Sequence, residues 1–295
     1  MTARLWRADL ALVAVSLIWG ATFVVVKEAL RDSSTLLFLS LRFTLATLAL
    51  GLVFRPLPSK FAGGGTLVRG GLLAGACLFG GYVLQTVGLR YTTPSKSAFL
   101  TGLSIVLVPV LGALVRGQAP RAREALGIAA ATLGMGLMTF QGSLLRMNRG
   151  DLLTLACAVA FAVHILVVGH YAPRFSFQAL TLVQIATAAA LASASFWWAE
   201  TPQIRWRPGV ILALIVTGLL ATALAFAIQA WAQQYTTPNR TALIFALEPV
   251  FAWLTSFLLT GELLSPRASA GAVLILAGIL LVELKRAPAA AHLSP

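Results

Sequence analysis

Long apolar segments recur along the whole chain, and they restrict its fold more than any other feature of the sequence. A helix needs about 20 mostly apolar residues to cross the hydrocarbon core of a bilayer, which is about 30 Å thick. Clusters of Gly and Pro separate the segments, and no connection is long enough to hold a soluble domain. The ten predicted transmembrane spans are 9–27, 35–54, 69–89, 95–115, 124–140, 151–170, 176–197, 209–230, 239–259 and 268–284.

Composition agrees with a chain that faces lipid. Hydrophobic residues make up 59% and charged residues 11% of the sequence, whereas a soluble domain has about half and about a quarter. The first apolar run, Leu10 to Val26, exceeds the roughly 7–15 apolar residues of a signal peptide. We therefore predict that it is a retained first helix.

The net charge of +13 does not indicate a nucleic-acid partner, because the basic residues stand singly or in pairs between apolar runs. The two cysteines, Cys77 and Cys157, both lie inside apolar runs, so no disulfide framework and no metal site is predicted. None of the four lysines follows a glycine, which excludes a Gly-Lys-Ser/Thr phosphate loop. No cofactor is expected.

An even number of spans places both termini on one side of the membrane. With the termini in the cytoplasm, the inner segments carry twelve basic residues and the outer segments nine. This is a weak excess of positive charge inside, in the sense of the positive-inside rule. We therefore predict cytoplasmic termini.

The chain contains an internal repeat. Tyr91-Thr92-Thr93-Pro94 recurs as Tyr235-Thr236-Thr237-Pro238, at an offset of 144 residues. Both copies suit the start of a helix, since Thr is a good N-cap and Pro fits the first helical position. Asp9 and Asp151 open equivalent apolar runs at an offset of 142. Further matches at the offset of 144 are Ala98/Ala242, Leu103/Leu247, Leu114/Leu258, Gly117/Gly261, Arg123/Arg267, Gly127/Gly271 and Gly134/Gly278.

The repeat predicts two domains, residues 9–140 and 151–286, with five spans each. Because five is odd, the second copy enters the membrane from the opposite side. The predicted fold is thus an all-α membrane protein of ten transmembrane helices, arranged as two inverted five-helix repeats. Folds of this kind bind a substrate near the bilayer midplane, between the repeats, and rock one repeat against the other. A transporter is the predicted function class.

The chain resembles the drug/metabolite transporter superfamily, in its ten-helix branch with two EamA domains. The residues that carry this resemblance are Trp19-Gly20 with Phe23, Leu41-Arg42-Phe43, Tyr91 to Ala98 and on to Pro109, Tyr235 to Ala242 and on to Leu247-Glu248-Pro249-Val250, and Gly261-Glu262. They cover nearly the whole chain. One departure is Gly117-Gln118, where the family often has Gly-Glu.

The resemblance implies export or exchange of small metabolites without ATP, as in bacterial inner-membrane exporters of aromatic and other neutral amino acids. It implies a multi-pass protein whose partners are the bilayer and a small-molecule substrate. We expect it to act as a monomer, without nucleic acid and without enzymatic activity.

Two charged residues lie inside predicted spans, where an ionisable group is costly and usually faces a cavity or a partner. At 1.5 Å per residue, Arg42 lies about eight residues from the outer end of its span, or ~12 Å deep. Glu248 lies about ten residues from the inner end of its span, or ~15 Å deep, which is a similar level in a core about 30 Å thick. The similar depths allow an ion pair between them. Either this is a structural pair, or Glu248 binds substrate or a proton while Arg42 chiefly holds helices together. Pro249 favours a kinked helix beside Glu248.

Other polar and aromatic residues complete the predicted substrate site. Tyr82 and Gln85 are three residues apart and share a helix face. Trp19, at mid-span, is too deep for the interfacial aromatic belt. His164 also lies at mid-span and could titrate near neutral pH. The predicted substrate-binding residues are Trp19, Tyr82, Gln85, His164, Gln229 and Glu248, and each could instead serve only helix packing.

Three alternatives stay open at this point. The substrate could be another metabolite or a drug-like compound, or the protein could be a passive channel, although no segment resembles a selectivity filter. The third is an intramembrane serine protease that uses Ser104, within Gly102-Leu103-Ser104-Ile105, and His164.

The odd number of spans in each repeat generates a topology prediction. Reporter fusions at both termini should be cytoplasmic, and a reporter in the 141–150 loop between the repeats should be external. A cytoplasmic 141–150 loop would contradict the inverted repeat.

Overall fold

A computed structural model describes residues 2–54, 64–116, 120–139, 147–260 and 265–283. Within these ranges the regular elements are helices, and β-type pairing is limited to one isolated bridge between Ser33 and Ile204. The helices are α1 (Thr2–Ala29), α2 (Thr35–Phe54), α3 (Gly64–Tyr91), α4 (Pro94–Gly102), α5 (Ser104–Arg116), α6 (Ala122–Thr139), α7 (Arg149–Tyr171), α8 (Phe177–Ala199), α9 (Pro208–Ile215), α10 (Ala225–Ala232), α11 (Pro238–Phe245), α12 (Glu248–Thr260) and α13 (Pro266–Glu283). A π-helical segment (Val216–Leu224) joins α9 to α10.

These elements confirm the predicted all-helical membrane fold. In the described part of the chain, seven helical stretches are long and apolar enough to cross a membrane. They are Arg4–Ala29, Thr35–Phe54, Gly64–Tyr91, Lys96–Val115, Arg149–Tyr171, Phe177–Ala199 and Pro208–Ala232. With α6, the α11–α12 pair and α13, they correspond to the ten predicted spans. Glu262 and Gln118 lie outside the described residues.

The two Tyr-Thr-Thr-Pro copies begin helices, as predicted. Thr93 is the N-cap of α4 and accepts a hydrogen bond from the backbone N–H of Lys96 (3.3 Å). Thr237 caps α11 in the same way, with the N–H of Arg240 as donor (3.3 Å). Each cap satisfies an N–H group that has no partner within the helix.

Spans 4 and 9 are each two helices with a break between them. The first break lies at Leu103 and the second at Ala246–Leu247, so the two breaks occupy equivalent positions in the repeats. In the second repeat Pro249 explains the break, because proline has no N–H to donate to the carbonyl four residues earlier, that of Phe245. The break places Glu248 at the start of α12, deep in the protein.

The crossing of α6 and α13 shows that the repeats are inverted. A Cβ on Gly134 would lie 2.5 Å from the carbonyl oxygen of Gly271, and one on Gly127 would lie 2.7 Å from that of Gly278. As the chain runs forward along α6, its contacts run backward along α13, so these equivalent helices are antiparallel. The pairs exchange under the offset of 144, which is the signature of a two-fold axis between the repeats.

Elsewhere the repeats interlock. Helices α2 and α3 of the first repeat pack along α7 and α8 of the second, and α1 packs along α10 and α12. The largest buried apolar cluster draws on both repeats, with Leu12 and Met135 from the first and Leu243 and Ile275 from the second. The core of the protein is therefore the interface between its two halves.

Two ion pairs at equivalent positions join the repeats. Lys96 Nζ lies 2.5 Å from Asp151 Oδ2, and Arg240 Nη2 lies 2.9 Å from Asp9 Oδ2. Asp9 is near the start of α1, while Lys27, near its other end, donates to the carbonyl of Thr92 beside α4 (3.0 Å). About 18 residues of helix, or ~27 Å, separate the two ends. The two pairs therefore lie at opposite ends of the protein.

Candidate functional site

A cavity of about 70 Å³ lies between the two repeats. Since a water molecule needs roughly 10–15 Å³ on the same measure, the cavity has room for several. Side chains from both repeats line it. All seven residues singled out in the sequence lie on its wall: Trp19, Arg42, Tyr82, Gln85, His164, Gln229 and Glu248.

The wall of the cavity is built from equivalent positions of the two repeats. In α1 and α7 the offset is 142 residues, and from α3 onward it is 144. The pairs of equivalent lining residues are Trp19/Phe161, Thr22/His164, Phe23/Ile165, Tyr82/Phe226, Gln85/Gln229, Thr101/Phe245 and Ser104/Glu248. The cavity therefore lies on the two-fold axis that relates the repeats.

Arg42 is held in place by neighbours in α3 and the π-helical segment. Its Nε donates to Thr222 Oγ1 (2.7 Å), and its Nη2 donates to the hydroxyl of Tyr82 (2.9 Å) and, more weakly, to the carbonyl of Ala221 (3.5 Å). The guanidinium carbon also lies 4.3 Å from the centre of the Tyr82 ring. With 3% of its surface exposed, Arg42 is a fixed positive group in the cavity wall.

Of the two alternatives that the sequence leaves open for Arg42 and Glu248, the structural ion pair is not formed among the described residues. Both residues line the cavity, so their similar depth was correctly inferred. Arg42 instead uses Nε and Nη2 on Thr222, Tyr82 and Ala221. Depth along a span does not determine the direction in which a side chain points, and the partners of Arg42 lie on other helices.

Glu248 places a buried carboxyl group in the cavity wall. It is 7% exposed, and within the described ranges of the chain no hydrogen bond or ion pair reaches its side chain. Its position at the first turn of α12 is electrostatically favourable, because unpaired N–H groups and the helix dipole attract negative charge there. The cavity is thus where a ligand could meet this carboxylate.

Aromatic rings form one side of the cavity around Trp19. The Trp19 indole N–H donates to the carbonyl of Ala221 (2.9 Å), which fixes the ring. Its ring lies 5.2 Å from that of Phe226 and 4.9 Å from that of Phe245, centre to centre. Tyr82 packs edge-on against Phe161 at 5.4 Å. These rings give the cavity an apolar wall of fixed shape.

Amide and imidazole groups supply the neutral polar part of the wall. Gln85 Nε2 donates to Thr101 Oγ1 (3.1 Å), and His164 Nε2 lies 2.9 Å from Gln184 Oε1. Gln229 Nε2 donates to Gln233 Oε1 (3.1 Å), while the oxygen of Gln229 is buried and accepts no hydrogen bond from the described residues. A ligand donor or a water molecule would satisfy that oxygen.

The sequence analysis did not predict several residues that line the cavity, although one recurring spacing would have identified some of them. An aromatic residue precedes a polar lining residue by three positions in Trp19/Thr22, Tyr82/Gln85, Phe161/His164 and Phe226/Gln229. Residues at this spacing share one helix face. Thr22, Phe161 and Phe226 follow from this pattern, whereas Thr86 and Thr101 carry no comparable signal. Ser104 and His164 both line the cavity without pairing, since His164 Nε2 contacts Gln184.

Known transporter sequences match this chain over nearly its whole length. The sequence model of the EamA-like transporter family matches residues 6–140 and 148–284. An uncharacterized transporter of Archaeoglobus fulgidus is 36% identical over 278 residues, which cover 94% of this chain and 86% of the relative. A probable amino-acid metabolite efflux pump of Salmonella typhimurium is 29% identical over 290 residues, covering 92% and 93%. A solved structure matches with a TM-score of 0.78 at 17% identity, over 94% of this chain and 96% of the other.

The contacts of Arg42 generate a stability prediction. Thr222→Val removes the acceptor of Arg42 Nε and leaves a buried charged donor unsatisfied, at a cost of about 1–3 kcal/mol. Thr47→Val is the matched control, because Thr47 and Thr222 each donate to a carbonyl of their own helix, but only Thr222 also accepts from Arg42. In detergent, Thr222→Val should lower the melting temperature well below that of Thr47→Val. Equal melting temperatures would contradict a structural role for this contact.

Proposed function

The chain belongs to the EamA-like transporter family, and from this premise we propose that it is a secondary transporter of amino acids, chiefly neutral and aromatic ones. It moves them across the bacterial inner membrane by export or exchange, without ATP. The relatives it matches are named as transporters or efflux pumps, which sets aside the protease alternative.

One observation carries the mechanism of this proposal. The cavity lies on the two-fold axis between inverted repeats, so rocking of the repeats can expose it first to one side of the membrane and then to the other. Because equivalent residues line both halves of the cavity, the two open states can present similar surfaces to the substrate. This supports alternating access over a continuous channel.

The lining of the cavity supports an amino-acid substrate. The amides of Gln85 and Gln229 offer both donors and acceptors, while the rings of Trp19 and Phe226 can pack against an apolar side chain. A metabolite without an apolar part would not use these rings. The Salmonella typhimurium relative is named as a probable amino-acid metabolite efflux pump, which supports this substrate class.

Counterflow in proteoliposomes tests the function. Vesicles loaded with unlabelled phenylalanine should accumulate external labelled phenylalanine without ATP, in the presence and in the absence of a pH gradient. Trp19→Ala and Gln85→Ala should lower the initial rate at least about tenfold, the effect of losing ~1.4 kcal/mol of binding. Trp198→Ala is the control, since Trp198 is 80% exposed and lies outside the cavity.

Different results separate the alternatives. A channel would equilibrate the label without stimulation by internal phenylalanine. Counterflow of sugars but of no amino acid would overturn the substrate class. Wild-type rates in both Trp19→Ala and Gln85→Ala would remove these residues from the site.

The inter-repeat ion pairs act as gates in this mechanism. Opening either end separates the repeats there, so it must break Lys96–Asp151 at one end or Arg240–Asp9 at the other. With cytoplasmic termini, the Asp9 pair faces the cytoplasm and the Asp151 pair faces the outside. Weakening one pair should shift the equilibrium toward the state that is open at that end.

Thiol labelling of the cavity measures this shift. In a variant without Cys77 and Cys157, a cysteine at Thr101 reports access from outside to an impermeant reagent. Asp151→Asn should speed labelling and Asp9→Asn should slow it, each several-fold. Glu28→Gln is the control, because Glu28 pairs with Arg31 of the same repeat, both side chains are more than half exposed, and exposed pairs contribute little. The same change in rate for Asp9→Asn and Asp151→Asn would contradict opposite gates.

A further inference from the structure

The cavity wall carries one basic and one acidic side chain that form no ion pair with each other. Arg42 belongs to the first repeat and Glu248 to the second, and both are more than nine-tenths buried. An unneutralised charge in a protein interior costs free energy. Two such groups that share one cavity, without an ion pair between them, indicate a ligand that contacts both.

Arg42 and Glu248 occupy positions at which the equivalent residue of the other repeat is chemically different. Tyr82 and Phe226 are both aromatic, and Gln85 and Gln229 are both amides, so several equivalent positions keep their chemical character. Helices α2 and α8 begin 142 residues apart, at Thr35 and Phe177, so the position equivalent to Arg42 is Gln184. The position equivalent to Glu248 is Ser104. Arg42 and Glu248 therefore add one basic and one acidic group to a cavity wall that is otherwise partly symmetric.

Each charged group retains unused hydrogen-bonding capacity. A guanidinium has five N–H donors, and Arg42 uses those on Nε and Nη2. Across the described helices, no hydrogen bond is formed by its Nη1. A carboxylate can accept several hydrogen bonds, and Glu248 accepts none from the described side chains. Arg42 can thus bind an anion and Glu248 a cation.

From these observations we infer that the cavity binds a zwitterion in one orientation, with its carboxylate on Arg42 Nη1 and its ammonium group on Glu248. The aromatic group around Trp19 then contacts the apolar side chain of the ligand. This inference rests on the proposed transport of amino acids and adds the residues that recognise each charge. Because Arg42 and Glu248 lie in different repeats, the bound zwitterion also links the two halves that move during transport.

Binding of three ligands that share one ring tests the assignment. L-phenylalanine carries both charges, 3-phenylpropionate lacks the ammonium group and phenethylamine lacks the carboxylate. Purified protein in lipid nanodiscs should bind phenylalanine at least about tenfold more tightly than either analogue, as measured by calorimetry. This comparison on the unmodified protein tests both subsites even if variants at Arg42 do not fold.

Glu248→Gln assigns the cation subsite. The substitution keeps the shape of the side chain and removes its charge, so phenylalanine should lose about tenfold or more in affinity while 3-phenylpropionate is unchanged or binds more tightly. The preference for phenylalanine over 3-phenylpropionate should then disappear. Glu200→Gln is the matched control, because Glu200 contacts the backbone N–H of Leu37 outside the cavity, and it should keep the full preference.

The outcomes separate this inference from the transport function. If phenylalanine shows counterflow but Glu248→Gln weakens all three ligands equally, or leaves the preference intact, the cation subsite is overturned and the transporter stands. Loss of pH-gradient sensitivity in Glu248→Gln with an intact ligand preference likewise overturns it, in favour of a proton site. If the unmodified protein neither binds nor exchanges any amino acid, the proposed substrate class fails together with the inference.

Discussion

The close contact between glycines of α6 and α13 is the constraint on which the arrangement of the two repeats depends. In lipid, apolar side chains gain little by leaving the solvent, so helices associate through close packing of small residues and through polar contacts. Gly134 and Gly271 each bring their Cα against the other's carbonyl oxygen, where a Cβ would lie at 2.5 Å. This crossing allows two equivalent helices to pack antiparallel about one axis. The cavity and the two inter-repeat ion pairs lie around that same axis.

The axis also explains how the cavity obtains its chemistry. Duplication places the same kind of group in both repeats, as with the amides of Gln85 and Gln229. Arg42 and Glu248 depart from this symmetry, and they are the groups to which we assign recognition of the substrate. The π-helical segment contributes to one of them, because it supplies Thr222 and the carbonyl of Ala221 to Arg42. An irregular helix is tolerated inside a membrane protein where it is buried against other helices.

Sequence and structure agree most closely on features that are periodic or local. The ten spans follow from hydropathy, and the helix starts at Thr93 and Thr237 follow from cap chemistry, which involves only neighbouring residues. The sequence also placed Trp19 and His164 deep in the membrane, and both line the cavity. Whether Arg42 pairs with Glu248 could not be decided from the sequence, since equal depth on two helices says nothing about their rotation.

The sequence by itself determined that the chain is an all-helical membrane protein with two inverted repeats, because span length, span number and the recurring motif are one-dimensional properties. It also determined which ionisable groups lie near mid-membrane. Only the tertiary structure decided which groups meet: Arg42 with Tyr82 and Thr222, Lys96 with Asp151, and Glu248 with the open cavity. The physical reason is that contacts between helices depend on their rotation and crossing. These are fixed by packing among residues far apart in the chain.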